Sequence, residues 1–301
     1  YRKPGNVKYP CWLQPDKVYA GAAWYQRDIE VPVAWQGRHT VLTLERPHWE
    51  TRVWVGDKAI GSNDSLSTPH VYDLGPLAPG KHRLTVRVDN RMIVNVGPNS
   101  HSVSDHTQGN WNGIVGELSL KLRAPVWIDD VQIYPDVERK TARVVVRIGN
   151  ATGAAAKGTL AFDLFPVMKP AATPFKKSEP IDIPPDGKSV EIDCRMEGAV
   201  PLWDEFNPVL CRLLTTLNND SGRNWDFRAI DFGMREFKPA GTQFALNGRP
   251  FFVRGTLDCC IYPLTGYPPC DEAGWQKVID AARAHGLTHI RCHSWCPPEA
   301  A

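Results

Sequence analysis

The stretch from Phe244 to Ala301 constrains this chain most. Phe244-Ala-Leu-Asn-Gly-Arg-Pro leads into Phe251-Phe-Val-Arg254-Gly255, an apolar run that reads as a strand. A Pro- and Gly-rich loop follows. Asp271 to His285 then places Trp275, Val278, Ile279 and Ala282 on one face at helical spacing. Asp271 suits the N-cap and Gly286 the left-handed stop. Thr288 to Trp295 reads as a second strand, with Arg291 and His293 near its end. Two strands joined through a helix run parallel, and a parallel pair hides both faces inside a larger α/β body. The chain stops at Ala301, so the segment is expected to open a body whose remainder lies beyond these 301 residues.

Upstream, apolar residues mostly recur at every second position. Val41-Leu-Thr-Leu-Glu, Arg83-Leu-Thr-Val-Arg-Val-Asp and Glu117-Leu-Ser-Leu-Lys-Leu alternate as half-buried strands do. Ala78-Pro-Gly80 marks a turn. Beyond Pro125, Trp127 to Pro135, Thr141 to Asn150, Gly158 to Leu164, Val190 to Cys194 and Val209 to Leu217 read as further strands. Pro166 to Pro185, rich in Pro, Lys and Ala, reads as a solvated loop. A length of 301 residues suits two or three domains.

Charge and composition narrow the function. A net charge of +2 without a basic run excludes nucleic acid as the expected partner. No apolar run is long enough to cross a bilayer, so no membrane partner is expected. The chain begins at Tyr1 with no signal-peptide pattern and reads as processed or trimmed. Eleven Trp among many Pro and Gly suit aromatic-faced β-domains and surfaces that stack on sugar rings. Five of the eight Cys crowd into the terminal segment: Cys259, Cys260, Cys270, Cys292 and Cys296. Cys292-His293-x-x-Cys296 lacks the paired ligand spacing of a zinc site, so neither metal nor cofactor is expected, and buried free thiols are.

Several motifs, taken in order, resemble glycoside hydrolase family 2, which includes β-galactosidases and β-glucuronidases. Gly21-Ala-Ala-Trp-Tyr-Gln-Arg resembles its "GxAWYxR" entry, and Trp111-Asn-Gly-Ile-Val-Gly its "WxGIxG" strand. Leu202-Trp203-Asp-Glu-Phe-Asn-Pro-Val-Leu resembles "LWxxxxPxLY", and Phe232-Gly-Met-Arg resembles "FGxR". Leu246-Asn-Gly-Arg-Pro-Phe-Phe-Val-Arg-Gly resembles "LNGkPxxLRG", and His289-Ile-Arg-Cys-His293 resembles "NxxRxxH".

The resemblance implies a mainly β chain. A jelly-roll sugar-binding domain (1–124) precedes an immunoglobulin-like β-sandwich (125–237), and 238–301 form the first βαβ unit of a (β/α)8 barrel. It implies retaining hydrolysis of terminal β-linked sugars by two glutamates about 5 Å apart, both expected downstream of residue 301. The chain alone is then expected to be inactive. Glu299, in Pro297-Pro298-Glu299, reads as a helix start rather than a catalytic acid.

Barrel sites lie at the C-terminal strand ends. There the resemblance implies sugar contacts from Arg254, taken to end the first strand, from His293 at the end of the second, and from Asp258. Barrel-core ion pairing for Arg254 and plain packing for His293 stay open. Trp295 either stacks on a sugar or caps the barrel. Asp105, His106 and Gln108 precede Trp111 where the family sends a loop to the sugar; an ordinary solvated loop is the alternative. The expected partner is a carbohydrate with a terminal β-linked sugar, galactoside first and glucuronide next. Homo-oligomerisation stays open. A secreted or periplasmic bacterial setting suits the resemblance. A non-catalytic carbohydrate-binding β-sandwich module is the alternative function, and a structural or adhesion protein a third.

Overall fold

The computed structural model describes residues 19–95, 97, 111–168, 172–262 and 264–301. The chain divides into two compact units, one of Tyr1–Leu122 with Arg254–Ala301 and one of Arg123–Val253. Asp105, His106 and Gln108 lie outside the described residues.

In the first unit, β1 (Ala22–Val31), β6 (Gly80–Asp89), β3 (Glu50–Val55) and β4 (Lys58–Asn63) form one antiparallel sheet in the order β1-β6-β3-β4. A second sheet has the order β5-β2-β7, from His70–Pro76, His39–His48 and Gly113–Arg123. Alternation decides what lies between them. Ile29, Leu42, Leu44, Val53, Leu84, Val86 and Val88 point inward and form one buried cluster. Thr51, His70 and Tyr72 add a buried polar group, in which Thr51 Oγ1 meets His70 Nδ1 at 2.6 Å and the Tyr72 hydroxyl at 2.5 Å.

The same unit holds β20 (Gly255–Asp258), α1 (Glu272–Ala284) and β21 (His289–Cys292). β20 and β21 pair in parallel, from Gly255 opposite His289 to Asp258 opposite Cys292. The Asp271 carboxylate accepts from Gly274 N–H at 2.7 Å and caps the helix. Gly286 ends it at φ +71°, with Gly286 N–H donating to Arg283 O and Leu287 N–H to Ala282 O.

The second unit begins with β8 (Val126–Asp136) and β9 (Thr141–Asn150). It continues through β10 (Ala156–Pro166), β12 (Phe175–Ile183), β13 (Lys188–Arg195), β15 (Cys211–Asn219) and β16 (Asn224–Phe232). The short strands β11 (Ala172–Thr173) and β14 (Glu197–Gly198) pair with each other. Sheets of order β12-β10-β15-β16 and β13-β9-β8 enclose a buried cluster that includes Val144, Val146, Leu160, Leu164 and Leu213. The chain is therefore mainly β, with one α-helix among the described residues.

Two expectations need correction. Pro166 to Pro185 is not wholly loop, because β12 pairs with β10 from Leu164 opposite Phe175 to Ala156 opposite Ile183. β12 is an edge strand, where Lys and Pro blunt further pairing, and its Ile181 and Ile183 supply the core contact.

The apolar run from Phe251 to Gly255 is likewise not one strand. Asn247 (φ +51°) and Gly248 (φ +77°) make the tight turn that type I′ hairpins use. Leu246 then opposes Arg249, and β17 (Phe237–Ala240), β18 (Gln243–Leu246) and β19 (Arg249–Phe251) form an antiparallel sheet. Only Gly255 to Asp258 joins the parallel pair. Arg254 therefore stands before the parallel strand, at the end opposite Asp258. The hairpin groups with the second unit, whereas the sequence reading placed everything from residue 238 with the terminal segment.

Candidate functional site

The C-terminal ends of β20 and β21 bring Asp258 and His293 together. His293 N–H donates to Asp258 O at 2.8 Å, and Trp295 Nε1–H donates to the same oxygen at 3.0 Å. The Asp258 carboxylate accepts from Cys260 N–H at 2.8 Å through Oδ1 and from the Tyr262 hydroxyl at 2.7 Å through Oδ2. One residue thus fixes the loop after each strand. The first loop closes tightly because Cys260 adopts φ +58°, and the second because Ser294 does the same.

Burial keeps the phenol and two of the thiols of this corner protonated. Burial, and then the hydrogen bond to Asp258, pushes the Tyr262 phenol up, so it stays a donor. Burial, then the Asp258 charge, pushes the Cys260 thiol up to about 12. Burial also raises the Cys292 thiol. Neutral thiols are poor nucleophiles and poor metal ligands. Among the described residues no three His, Cys, Asp or Glu side chains gather into a group that could hold a metal ion.

Trp295 is 6% exposed and its ring is surrounded. Trp275 stacks on it at 6.2 Å, while Trp111 and Tyr262 present edges at 6.1 and 6.4 Å. His293 is half-buried, with Nδ1 3.5 Å from Ser294 Oγ. Arg254 is exposed, and its carbonyl accepts from Thr288 N–H at 2.7 Å and His289 N–H at 3.2 Å, which pins the chain as it returns from the helix. An open, largely apolar cavity of about 530 Å³ flanks the pair, lined in part by Leu257, Asp258, Tyr262, Val278 and Ile290.

The loop beyond Trp295 is held by a pair that the sequence reading missed. Glu45, on β2 and 8% exposed, accepts Glu299 N–H on one carboxylate oxygen and Glu117 N–H on the other. Arg46 donates to Cys296 O at 3.3 Å and Pro297 O at 3.1 Å, and its own carbonyl accepts from Trp111 Nε1–H at 3.0 Å. Glu299 therefore meets β2 through its backbone, while its side chain is exposed. Tyr262 was also missed. A phenol four residues after an aspartate is too weak a pattern to single out.

Each unit thus sets two antiparallel sheets around a buried cluster, and the first unit adds the parallel pair with Asp258 and His293 at its C-terminal ends. Residues 1–125 match the family model described as "Glycosyl hydrolases family 2, sugar binding domain", which bears out the resemblance seen in the motifs. A β-galactosidase of Enterobacter cloacae is 24% identical over 298 residues, covering 95% of this chain and 28% of that relative. A β-glucuronidase of Pongo abelii is 23% identical over 268 residues, covering 79% of this chain and 39% of that one. Among solved structures, a putative β-galactosidase from Bacteroides fragilis superposes with TM-score 0.80 at 19% identity, covering 97% of this chain and 44% of its own. A β-glucuronidase from Bacteroides uniformis gives TM-score 0.79 at 18% identity, covering 96% and 35%. The fold is shared with these enzymes, and the chain spans little more than a quarter of the first curated relative's length.

Proposed function

We propose that the chain is the N-terminal part of a retaining exo-β-glycosidase acting on terminal β-linked sugars, galactosides first. Its first sandwich is then the jelly-roll sugar-binding domain and its second the immunoglobulin-like domain. The β20–α1–β21 unit is the opening of a (β/α)8 barrel. The observation that carries this reading is the parallel pair joined through α1, with Asp258 and His293 side by side at its C-terminal ends, where barrel enzymes keep their sites.

In this reading His293 offers an imidazole to a sugar hydroxyl, and Asp258 sets the loop rather than the chemistry, because both its carboxylate oxygens are already engaged. Trp295 supports them from the core. Arg254, at the far end of β20, acts on the barrel floor. The two glutamates that protonate the leaving oxygen and attack the anomeric carbon lie downstream of residue 301.

The test is hydrolysis of a panel of aryl β-glycosides by the 301-residue chain and by a longer polypeptide that contains it. Turnover by the longer protein alone is expected. Turnover by the 301 residues would overturn the placement of the glutamates. No turnover by either, with retained glycan binding, would favour a non-catalytic carbohydrate-binding module.

A further inference from the structure

The outward face of the β1-β6-β3-β4 sheet has an unusual make-up. The registers set Trp24, Arg87 and Arg52 in one row across β1, β6 and β3, and Gln26, Thr85 and Trp54 in the next. The inward positions carry the aliphatic core, whereas these outward ones carry two indoles among polar groups. The two rings reach across β6 and meet at 5.4 Å between centroids, tilted by 30°. They cover Thr85, which is buried although it lies on the outer face. Trp24 itself remains 60% exposed, so a large indole surface lies open to solvent.

The polar surround is pre-set. Glu50 Oε1 accepts from Arg52 Nε–H and Arg87 Nη1–H, both at 2.9 Å. Asp89 pairs with Arg87 and Arg91. Gln26 donates to Thr85 Oγ1 at 3.1 Å, which leaves its amide oxygen as an acceptor. Three guanidiniums set against two carboxylates are largely neutralised among themselves, yet keep spare N–H donors.

We propose that this face is a carbohydrate-binding platform, on which a pyranose ring of a neutral β-linked glycan stacks on Trp24 while Arg52 and Gln26 hydrogen-bond its hydroxyls. An open indole face matches the apolar C–H face of a pyranose, and fixed donors and acceptors beside it match the equatorial hydroxyls. A strongly anionic ligand fits less well, because Glu50 and Asp89 already occupy the guanidiniums. The match of residues 1–125 to a sugar-binding domain is in keeping with this ligand class. The platform stands on its own observations and does not depend on the reading of the β20–β21 strand ends.

Affinity electrophoresis of the 301-residue chain through β-1,4-galactan, a soluble β-1,4-glucan and a polyuronate tests it. Retardation by a neutral polymer is expected, with Trp24→Ala weakening it roughly tenfold, Arg52→Gln weakening it less, and Lys188→Ala, exposed on β13 in the second unit, leaving it unchanged. Circular dichroism checks that each variant is folded. Should Trp24→Ala not fold, oxidative footprinting of the unaltered protein replaces it, and the bound glycan is expected to protect Trp24. No retardation by any polymer, full retardation of folded Trp24→Ala, or unprotected Trp24 in the presence of glycan would overturn the proposal. Retardation by the polyuronate alone would overturn the neutral ligand class. Loss of retardation in His293→Ala, with Trp24→Ala still retarded, would place the binding at the strand ends and overturn the proposal, while leaving the glycosidase reading intact.

Discussion

Asp258 shows how much one side chain can organise. Its carboxylate and carbonyl hold Cys260, Tyr262, His293 and Trp295 together. Asp258→Ala strands the Cys260 N–H and the Tyr262 hydroxyl, and thermal unfolding should report a loss of about 2 kcal/mol. Tyr262→Phe removes only one partner and should lose roughly half of that. His70 sets a pH dependence. It is fully buried between Thr51 and Ser65, and burial holds its imidazole below the ordinary value of 6.5. The unfolded chain therefore takes up a proton near pH 6.5 that the fold refuses. Stability should be highest above that pH and fall as pH drops through it, read as a falling urea midpoint that flattens in a folded His70→Gln variant. A second decline belongs to Asp89, held down to about 2 first by its hydrogen bond with Arg91. That contribution is present above pH 3.8 and lost as pH falls toward 2.

Among the elements, α1 and the alternating strands are legible in the sequence because their signals are local. Asp271, Gly286 and the period of the apolar residues all act within one or two turns. The Asn247-Gly248 pair was equally legible as a hairpin, and giving it that weight would have separated β19 from β20. β12 was masked by its Lys and Pro, which suit an edge strand as well as a loop. β2 depends on a partner distant in sequence. Gly116 sits at φ +83°, and a Cβ there would lie 2.2 Å from Glu45 Oε2. Gly116→Ala should therefore displace the Glu45 carboxylate. Glu45→Ala should strand two backbone N–H groups and release the segment from Cys296 onward. Hydrogen exchange should show faster exchange at Glu299 in either variant, with the β20–β21 amides less affected.

For the whole molecule, exposed apolar surface sets the expected behaviour. Leu257, on β20, is 49% exposed, and Leu264 in the following loop is fully open. Light scattering should find concentration-dependent association, and Leu257→Lys should reduce it. The sequence by itself determined the β-rich character, the helix with both its caps, and the motifs that match a family 2 sugar-binding domain, because period, capping and turn chemistry act over a few residues. Only the tertiary structure decided that Trp295 is enclosed by Trp111, Trp275 and Tyr262, that Arg254 precedes its strand, and that Glu45 and Arg46 hold Cys296 to Glu299. Those contacts join residues as many as 254 positions apart, and no local propensity encodes a pairing over that distance.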